Sequence, residues 1–339
     1  MPSSLLRSGA QLFGALTAGT VVMLAVGGCT EVEPRTTLDL AQGCVETLVP
    51  EEGRLLVLEE LGPPVLRETD LETGASHPVL EVPSSGFAFE FDTWGDEVVV
   101  AYTPPPVKGG AGYDRSGLAQ VVHGAPELLS VPAKESWSFY PAWEPSGEGI
   151  WFVQDGADID GTSTLARYDL HDGTSTGVVP DATEPAVSPD GRHLAWVSVH
   201  PTSGARQLVL GDASAQSAQV LVGSELGDLG QPFFSRDGAW LYFVVLITPD
   251  ANPLLDLLVP SAMAHASHDT PGDWWRVRTD GGDPERVTRL ETIHYDGAAS
   301  PHSDRFVAAT REGVALIDPD TGDATMLRCM RTARAVGLR

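Results

Sequence analysis

Basic side chains are scarce in this sequence. Its 339 residues include 21 lysines and arginines against 47 aspartates and glutamates, so the formal net charge is −26 at pH 7. A field of that sign repels nucleic acid and anionic lipid headgroups, and we therefore expect no nucleic-acid partner. The carboxylates serve either the solvation of a secreted protein or the binding of divalent cations or a basic partner.

The sequence also lacks a long apolar segment. The run at residues 12–26 is short for a bilayer, which needs about 20 residues, and it contains several Gly and Thr. It follows Arg7 and leads into Val-Gly-Gly-Cys29, which is the order of a secretory signal. A transmembrane anchor is the alternative interpretation.

Val-Gly-Gly-Cys29 resembles the lipobox of bacterial lipoproteins. The resemblance implies that residues 1–28 are a signal peptide and that Cys29 carries the lipid. Residues 29–42 would then be the lipidated N-terminus and a short tether. It further implies a cell-envelope protein held by lipid on the outer membrane, facing the periplasm or the exterior, because Thr30 follows the cysteine.

A repeat organises the rest of the chain. Ser188-Pro-Asp-Gly191 lies between two short apolar runs, and Gln231 to Val245 and Tyr140 to Val153 have the same pattern. Pro, Asp and Gly suit a bulged hairpin, since they preset φ, stabilise the turn and supply positive φ. Weaker copies complete a series whose turns are anchored at positions 53, 95, 147, 191, 238 and 303. Spacing near 45 residues is typical of one propeller blade.

These hairpins and Trp274-Trp-Arg-Val-Arg-Thr-Asp-Gly-Gly282 together resemble the repeats of TolB-like (WD40-like, PD40) β-propellers. We therefore predict an all-β fold, a six-bladed β-propeller of four-stranded antiparallel blades, over residues 43–330. Strands A to D run from the centre of each blade outward. Residues 331–339 are expected to be a C-terminal tail.

Cysteine is scarce as well, with three in the chain. Once Cys29 is lipidated, Cys44 and Cys329 remain as an even pair in an oxidising compartment. The repeat register places them where the last and first blades meet, so a Cys44–Cys329 disulfide would close the ring. The chain-entropy treatment gives such a bond roughly 5 kcal/mol. Two unrelated thiols are the alternative.

Long connections are confined to one face. Those at 103–117, 154–164 and 248–273 all join strand B to strand C. Extended loops on a rigid scaffold usually carry binding, so we expect a protein, peptide or glycan partner on the face of the B–C and D–A connections. Drifted insertions without function are the alternative.

The position seven residues before each anchor should lie at the mouth of the central channel on that face. It holds, in chain order, Glu46, Ala88, Tyr140, Glu184, Gln231 and Asp296. Trp137 and Phe139 precede one of them, and these aromatic side chains either contact a ligand or pack between blades.

Metal binding has only weak sequence support. Glu184 and Asp296 could hold Ca²⁺ at the channel, as could Asp155, Asp158 and Asp160 in an acidic loop. Solvated charges are the competing interpretation, and we expect no cofactor. His265 and His268 form a second weak metal pair in the long insertion.

Two functions remain open from the sequence. The favoured one is a non-enzymatic scaffold. The alternative is a metal-assisted lyase or hydrolase at the channel mouth, for which His294 is the nearby candidate. The G-x-S-x-G match at 173–177 is expected to be a plain C–D turn, because a nucleophile elbow joins a strand to a helix.

Overall fold

The chain folds into antiparallel β-strands joined mostly by tight turns. A computed structural model describes residues 53–60, 63–83, 86–105, 116–129, 136–156, 163–247, 270–330 and 332–339. All of them belong to the compact unit Thr36–Arg339; a second unit, Met1–Arg35, lies outside the description. Within the described ranges, no helix has the length and apolarity needed to cross a bilayer.

Four sheets are separate and have four strands each. From the centre outward, the first consists of β24 (Ala333–Leu338), β1 (Arg54–Glu59), β2 (Val65–Asp70) and β3 (Ser76–Glu81). The second consists of β4 (Phe87–Trp94), β5 (Glu97–Thr103), β6 (Gly117–Val122) and β7 (Ala125–Leu128). The third consists of β8 (Ser136–Trp143), β9 (Gly149–Gly156), β10 (Thr164–Asp169) and β11 (Thr174–Pro180). The fourth consists of β12 (Ala182–Val187), β13 (His193–Val199), β14 (Arg206–Asp212) and β15 (Gln219–Val222).

The remaining strands form one eight-stranded sheet, which we call the double sheet. Its first half consists of β16 (Leu229–Phe234), β17 (Trp240–Leu246), β18 (Pro271–Arg278) and the short β19 (Glu285–Arg286). Its second half consists of β20 (Thr292–Ala299), β21 (Phe306–Thr310), β22 (Gly313–Ile317) and β23 (Ala324–Arg328). The two halves join through Pro271↔Ile293 and Gly272↔Thr292.

The innermost strands form a closed ring around a central axis, and we call the region along that axis the central channel. β24, β4, β8, β12, β16 and β20 contact one another in that cyclic order, and β20 contacts β24 again. Strands such as β1 and β17 are buried along most of their length, and their successive side chains enter in turn the cores on either side. Each core therefore ties one sheet to the next around the ring.

The Ser-Pro-Asp-Gly hairpin has the predicted turn chemistry. Ser188 Oγ donates to Asp190 Oδ1 at 2.7 Å, and Gly191 has φ of 68°. The backbone N–H of His193 donates to Ser188 Oγ at 2.9 Å. Ser235 and Asp237 repeat this arrangement at 2.6 Å in the double sheet. We call the end of the ring that carries these turns the turn face, and the opposite end, where β5, β9 and β17 finish, the loop face.

The predicted count of six separate blades differs from the sheets observed. Four-stranded antiparallel blades are confirmed, but four stand alone and the rest of the described strands are in the double sheet. The outer strand β19 has only two residues, which pair with Trp275 and Arg276 of β18. The first two residues of β18, Pro271 and Gly272, pair with β20 and join the two halves.

The prediction that residues 331–339 form a C-terminal tail is wrong. Residues 333–338 form β24, the innermost strand of the first sheet, with Val57 opposite Val336 and Leu55 opposite Leu338. The turn anchored at position 53 implied an inner strand just before it, in residues that lie outside the described part of the chain. A C-terminal strand paired with β1 therefore closes the ring. Cys44 also lies outside the description, so the Cys44–Cys329 bond stays a prediction.

Candidate binding site at the central channel

Three carboxylates project from alternate inner strands. Glu90 lies on β4, Glu184 on β12 and Asp296 on β20. Burial raises the pKa of Glu90, and the nearby charges of Asp296 and Glu184 add to that rise. The channel therefore has an acidic centre.

Each carboxylate also ties its strand to the next one around the ring. The acceptors and their backbone N–H donors are Glu90 with Tyr140, Glu184 with Gln231, and Asp296 with Val336, the last at 2.9 Å. A carboxyl oxygen accepts a hydrogen bond in either protonation state, and the bond is stronger where the acceptor is charged. The three carboxyl groups thus hold the inner strands in place.

Burial changes the titration of two of these groups. It raises the pKa of Glu90 to about 8, and the charges of Asp296 and Glu184 add to that rise against the hydrogen bond from Tyr140. Burial likewise raises the pKa of Asp296 to about 7, against hydrogen bonds from Val336 and Gly297. Glu90 Oε2 is enclosed and has no hydrogen-bond partner. At neutral pH Glu90 is therefore largely protonated.

We expect Glu90→Gln to remove part of the protein's sensitivity to alkaline pH. In the folded chain Glu90 keeps its proton up to about pH 8, whereas the unfolded chain releases it near 4.5. The unfolding free energy of the native protein should therefore fall as pH rises between those values. Measured by chemical denaturation, the unfolding free energy of the variant should exceed that of the native protein by roughly 1 to 3 kcal/mol at pH 8.5. At pH 4.5 the two should differ little.

Glu127→Gln is the matched control, because Glu127 is exposed on the outer strand β7. It should leave the pH profile unchanged. An unchanged profile for Glu90→Gln would contradict the assignment of a buried, neutral Glu90.

Glu184 is held in a buried ion pair with Arg206. Their side chains are 11% and 13% exposed, and Arg206 Nη2 donates to Glu184 Oε1. Arg206 also donates to the Leu229 carbonyl at 2.6 Å and lies 3.5 Å from Asp228. The pair therefore links the fourth sheet to the start of the double sheet.

Three channel residues have a positive φ, which residues other than glycine rarely adopt. Tyr140, Glu184 and Gln231 have φ of 51°, 52° and 56°. Each lies in a bulge of its inner strand, where two residues oppose one on the neighbouring strand. Such strain clusters at functional sites, and here it aims the same position of three sheets at the channel.

Aromatic rings gather beside this acidic centre, at the loop face. They are the half-buried side chains of β4 and β8, namely Phe87, Phe89, Trp137, Phe139 and Tyr140. Trp137 and Phe139 stack with centroids 6.1 Å apart, and Phe89 meets the edge of Phe139 at 5.6 Å. We call these five residues the aromatic cluster. The rings of Trp137 and Phe139 pack against Phe89 of the neighbouring sheet, and their contact with a ligand stays a prediction.

The predicted mouth position Ala88 is wrong by two residues. Ala88 is buried, and Glu90 occupies the position of Tyr140 because the turn of this sheet is shorter. Trp94 pairs with Glu97 across a two-residue turn, whereas Trp143 pairs with Ile150 across six. Counting seven residues back from Gly95 therefore reaches Ala88, two residues before Glu90. The lone carboxylate in Phe-Ala-Phe-Glu-Phe was the signal that could have found Glu90.

The first sheet also departs from the predicted mouth. Glu46 lies outside the described residues, and the inner strand of this sheet is β24, with Arg334 as a bulged residue between Ala333 and Ala335. Arg334 Nε donates to Glu60 Oε2 at 2.5 Å, and its guanidinium lies 4.6 Å from the centre of the Tyr295 ring. Among its described residues, β24 contributes no carboxylate to the channel.

His294 is unsuited to the proton transfer that the enzyme alternative needs. It is 3% exposed, and its Nε2 donates to the Gly272 carbonyl at 3.1 Å. Burial lowers the pKa of His294 to about 4, so the ring is neutral at physiological pH. Trp274 meets it edge-on at 5.5 Å and adds to its burial. His294 therefore belongs to the core beside the channel.

Metal binding gains no support from the described residues. Within those ranges, no three His, Cys, Asp or Glu side chains are grouped to hold a metal ion, Glu184 and Asp296 included. Asp155, the next-to-last residue of β9, has its Oδ1 buried without a hydrogen-bond partner. Asp158, Asp160, His265 and His268 lie outside the described ranges.

The G-x-S-x-G match was expected to be a plain turn, and only its first residue is in one. Gly173 lies in the turn between β10 and β11, whereas Ser175 and the other three residues belong to strand β11. The match therefore does not join a strand to a helix, as a nucleophile elbow does.

Two shallow clefts lie away from the channel, beside the outer strands of the third and fourth sheets. One of about 540 Å³ is lined by β14, the segment from Gln216 to Gln219 and Thr279. The other, of about 460 Å³, is lined by Trp151, by β11 and by the turn at Ala213 and Ser214. Both are open, and neither contains the channel carboxylates.

Comparison with known proteins supports a bacterial propeller. A family model described as the lipoprotein LpqB beta-propeller domain (Gmad1) matches residues 170–255. Among solved structures, TolB from Acinetobacter baumannii has a TM-score of 0.59 at 16% identity, covering 84% of this chain and 66% of that one. A putative TolB from Agrobacterium tumefaciens has 0.57 at 16% identity, with 84% and 92% covered.

Structures that are not of TolB have TM-scores in a similar range. A structure of a nidogen/laminin complex matches with a TM-score of 0.60 at 10% identity, covering 84% of this chain and 97% of that one. An oligogalacturonate lyase in complex with manganese has 0.51 at 13% identity, with 80% and 71% covered. No curated protein sequence matches the chain. At these identities the likeness is one of fold alone.

Proposed function

We propose that this chain is a non-enzymatic binding scaffold of the bacterial cell envelope, which uses the aromatic cluster and the acidic channel beside it to hold a protein, peptide or glycan. The cluster carries the proposal. Half-buried aromatic rings at the rim of a rigid ring offer large contact area at low entropic cost, and such residues dominate binding energy at interfaces. The strained bulges keep the adjoining side chains fixed before a partner arrives.

The scaffold assignment fits the chemistry of the channel. Glu90 is neutral, Glu184 is committed to Arg206, and His294 is buried and neutral. None of these three is placed as a free base or nucleophile. The LpqB-domain match and the TolB-like neighbours agree with a scaffold in the envelope or periplasm.

The proposal also includes the lipid anchor, the disulfide and the number of blades. The chain is anchored by lipid at Cys29 in the outer membrane, and Cys44 bonds Cys329 beside the closing strand. The double sheet acts as two blades, giving six in all, because six inner strands follow one another around the channel. The lipid anchor would leave the ring free to meet a partner near the membrane.

Photo-crosslinking tests the binding site. We expect a photoreactive phenylalanine analogue in place of Trp137, in the full chain in native membranes, to capture one discrete partner. Replacing Phe89 with Ala in the same chain should abolish capture, because the ring of Phe89 packs edge-on against that of Trp137, with the ring centroids 6.5 Å apart. The purified partner should then bind the unmodified protein and bind Phe89→Ala at least about tenfold more weakly.

The control places the same analogue at Val220, which is 54% exposed on the outer strand β15. It should capture nothing comparable. Equal capture at both positions, or capture at Trp137 that survives Phe89→Ala, would overturn the channel-mouth site.

A further inference from the structure

The outer strand of the third sheet has an unprotected edge. β11 pairs with β10 on one side, and no described strand pairs with its other side. Six of its seven residues are exposed. Its sequence, Thr-Ser-Thr-Gly-Val-Val-Pro, carries no charge. The free N–H and C=O groups of such an edge are a template for another strand.

The other outer strands are protected in the ways that proteins normally use. β3 contains a proline and ends in Glu81, and β7 contains a proline and Glu127. β19 is two charged residues long, and β23 ends in Arg328. β15 is uncharged but has four residues. β11 ends in Pro180 and has a bulge where it pairs with Leu165 and Ala166, but among the described sheets it is the long outer strand without a charge.

A cleft beside β11 gives room for the side chains of an added strand. Thr174, Thr176 and Val178 of β11 line a volume of about 460 Å³. The rest of the lining is Trp151, Arg167, Asp169, Asp172, Ala213, Ser214 and Gln216. An added strand points alternate side chains to each face of the sheet, so every second one would enter this cleft. Small, β-branched side chains suit its width and the strand geometry.

The two ends of β11 are acidic. Asp172 precedes the strand and is exposed, and Asp181 follows Pro180. A second copy paired antiparallel about Gly177 would set Gly173 opposite Asp181 and bring Asp172 and Asp181 of the two copies together. Like charges opposed across strands are destabilising. Basic residues at both ends of an incoming strand would instead be attracted.

We propose that β11 binds an extended peptide segment of a partner protein by strand addition, and that this segment has an uncharged β-branched centre flanked by basic residues. The surface is separate from the aromatic cluster. Backbone hydrogen bonds supply the affinity, and the flanking charges supply the orientation.

Synthetic peptides test this directly on the full chain in an uncharged detergent. Fluorescence anisotropy should show Lys-Thr-Val-Thr-Val-Thr-Lys binding about tenfold more tightly than Glu-Thr-Val-Thr-Val-Thr-Glu, because each terminal pair contributes modestly at an exposed site. The same basic peptide with alternate backbone nitrogens methylated should lose binding, since it cannot complete the ladder. Equal binding of the methylated and unmethylated peptides would overturn strand addition.

Protein variants locate the site. Asp172→Asn keeps a side-chain oxygen that can accept from the Thr174 N–H, which lies 2.9 Å from Asp172 Oδ1. Asp181→Asn keeps a residue type that tolerates the φ of 53° at position 181. The double variant should cut the preference for the basic peptide to within about twofold. Trp137→Ala should bind the peptide normally, which separates this surface from the channel mouth.

Two results would reject the proposal on the protein side. One is an unchanged preference in the double variant. The other is reversible dimerisation of the peptide-free chain that Thr176→Lys abolishes, because it would make a second copy the occupant of β11.

Discussion

Removing residues 333–339 is expected to destroy the cooperative fold of the ring. Ala333, Ala335, Val336 and Leu338 are all buried, and their loss alone costs about 5 kcal/mol. β24 packs in two cores, one shared with β4 and β5 and the other with β21 and β22. Its deletion therefore opens both neighbouring contacts at once. Thermal unfolding should occur at least about 10 °C lower, or without a cooperative transition.

Strand complementation provides the control for this truncation. A synthetic peptide of residues 333–339 should restore a cooperative transition and protease resistance, whereas a scrambled peptide should not. Arg339 of that peptide can again pair with the buried Glu68. If the truncated chain melted within about 3 °C of the full chain, β24 would not be the closing strand.

Glu184→Ala is expected to destabilise the protein by about 3 to 5 kcal/mol, measured by chemical denaturation. It leaves Arg206 charged and buried without its main partner, and it leaves the Gln231 N–H without its acceptor. Breaking one side of a buried pair costs more than the pair contributes, because the remaining charge stays desolvated.

Two further variants separate the causes of that loss. Glu225→Ala, an exposed carboxylate in the same part of the chain, should change stability by less than about 0.5 kcal/mol. The double variant Glu184→Ala with Arg206→Ala should lose less than the sum of the single variants, because no unpaired charge remains. Strict additivity would show that the two side chains act independently.

The fold was predictable where the repeat carries its own turn chemistry. Ser188, Asp190 and Gly191 determine a hairpin through local hydrogen bonds, so counting such turns located the strands around them. The sheet around Gly95 has a shorter turn, and there the same counting placed Ala88 where Glu90 lies. Local signals thus determine hairpins, whereas register across a sheet depends on turn length.

The parts that were missed depend on contacts between distant residues. β24 reads as an ordinary short apolar run, and only its pairing with β1 makes it the closing strand. His294 was a candidate base because sequence shows residue type, whereas its burial in the folded chain lowers its pKa to about 4. The aromatic side chains of β4 and β8 likewise become one surface only when the two sheets meet.

The pairing of β24 with β1 has a consequence for folding during synthesis. β24 is synthesised after every other described strand, while its partner β1 is the first of them. The earlier strands therefore leave the ribosome long before the ring can be completed. During that interval the edge of β1 and two half-covered cores are open to chaperones and proteases. The rate at which the last strand is made should thus decide how much of the protein escapes degradation.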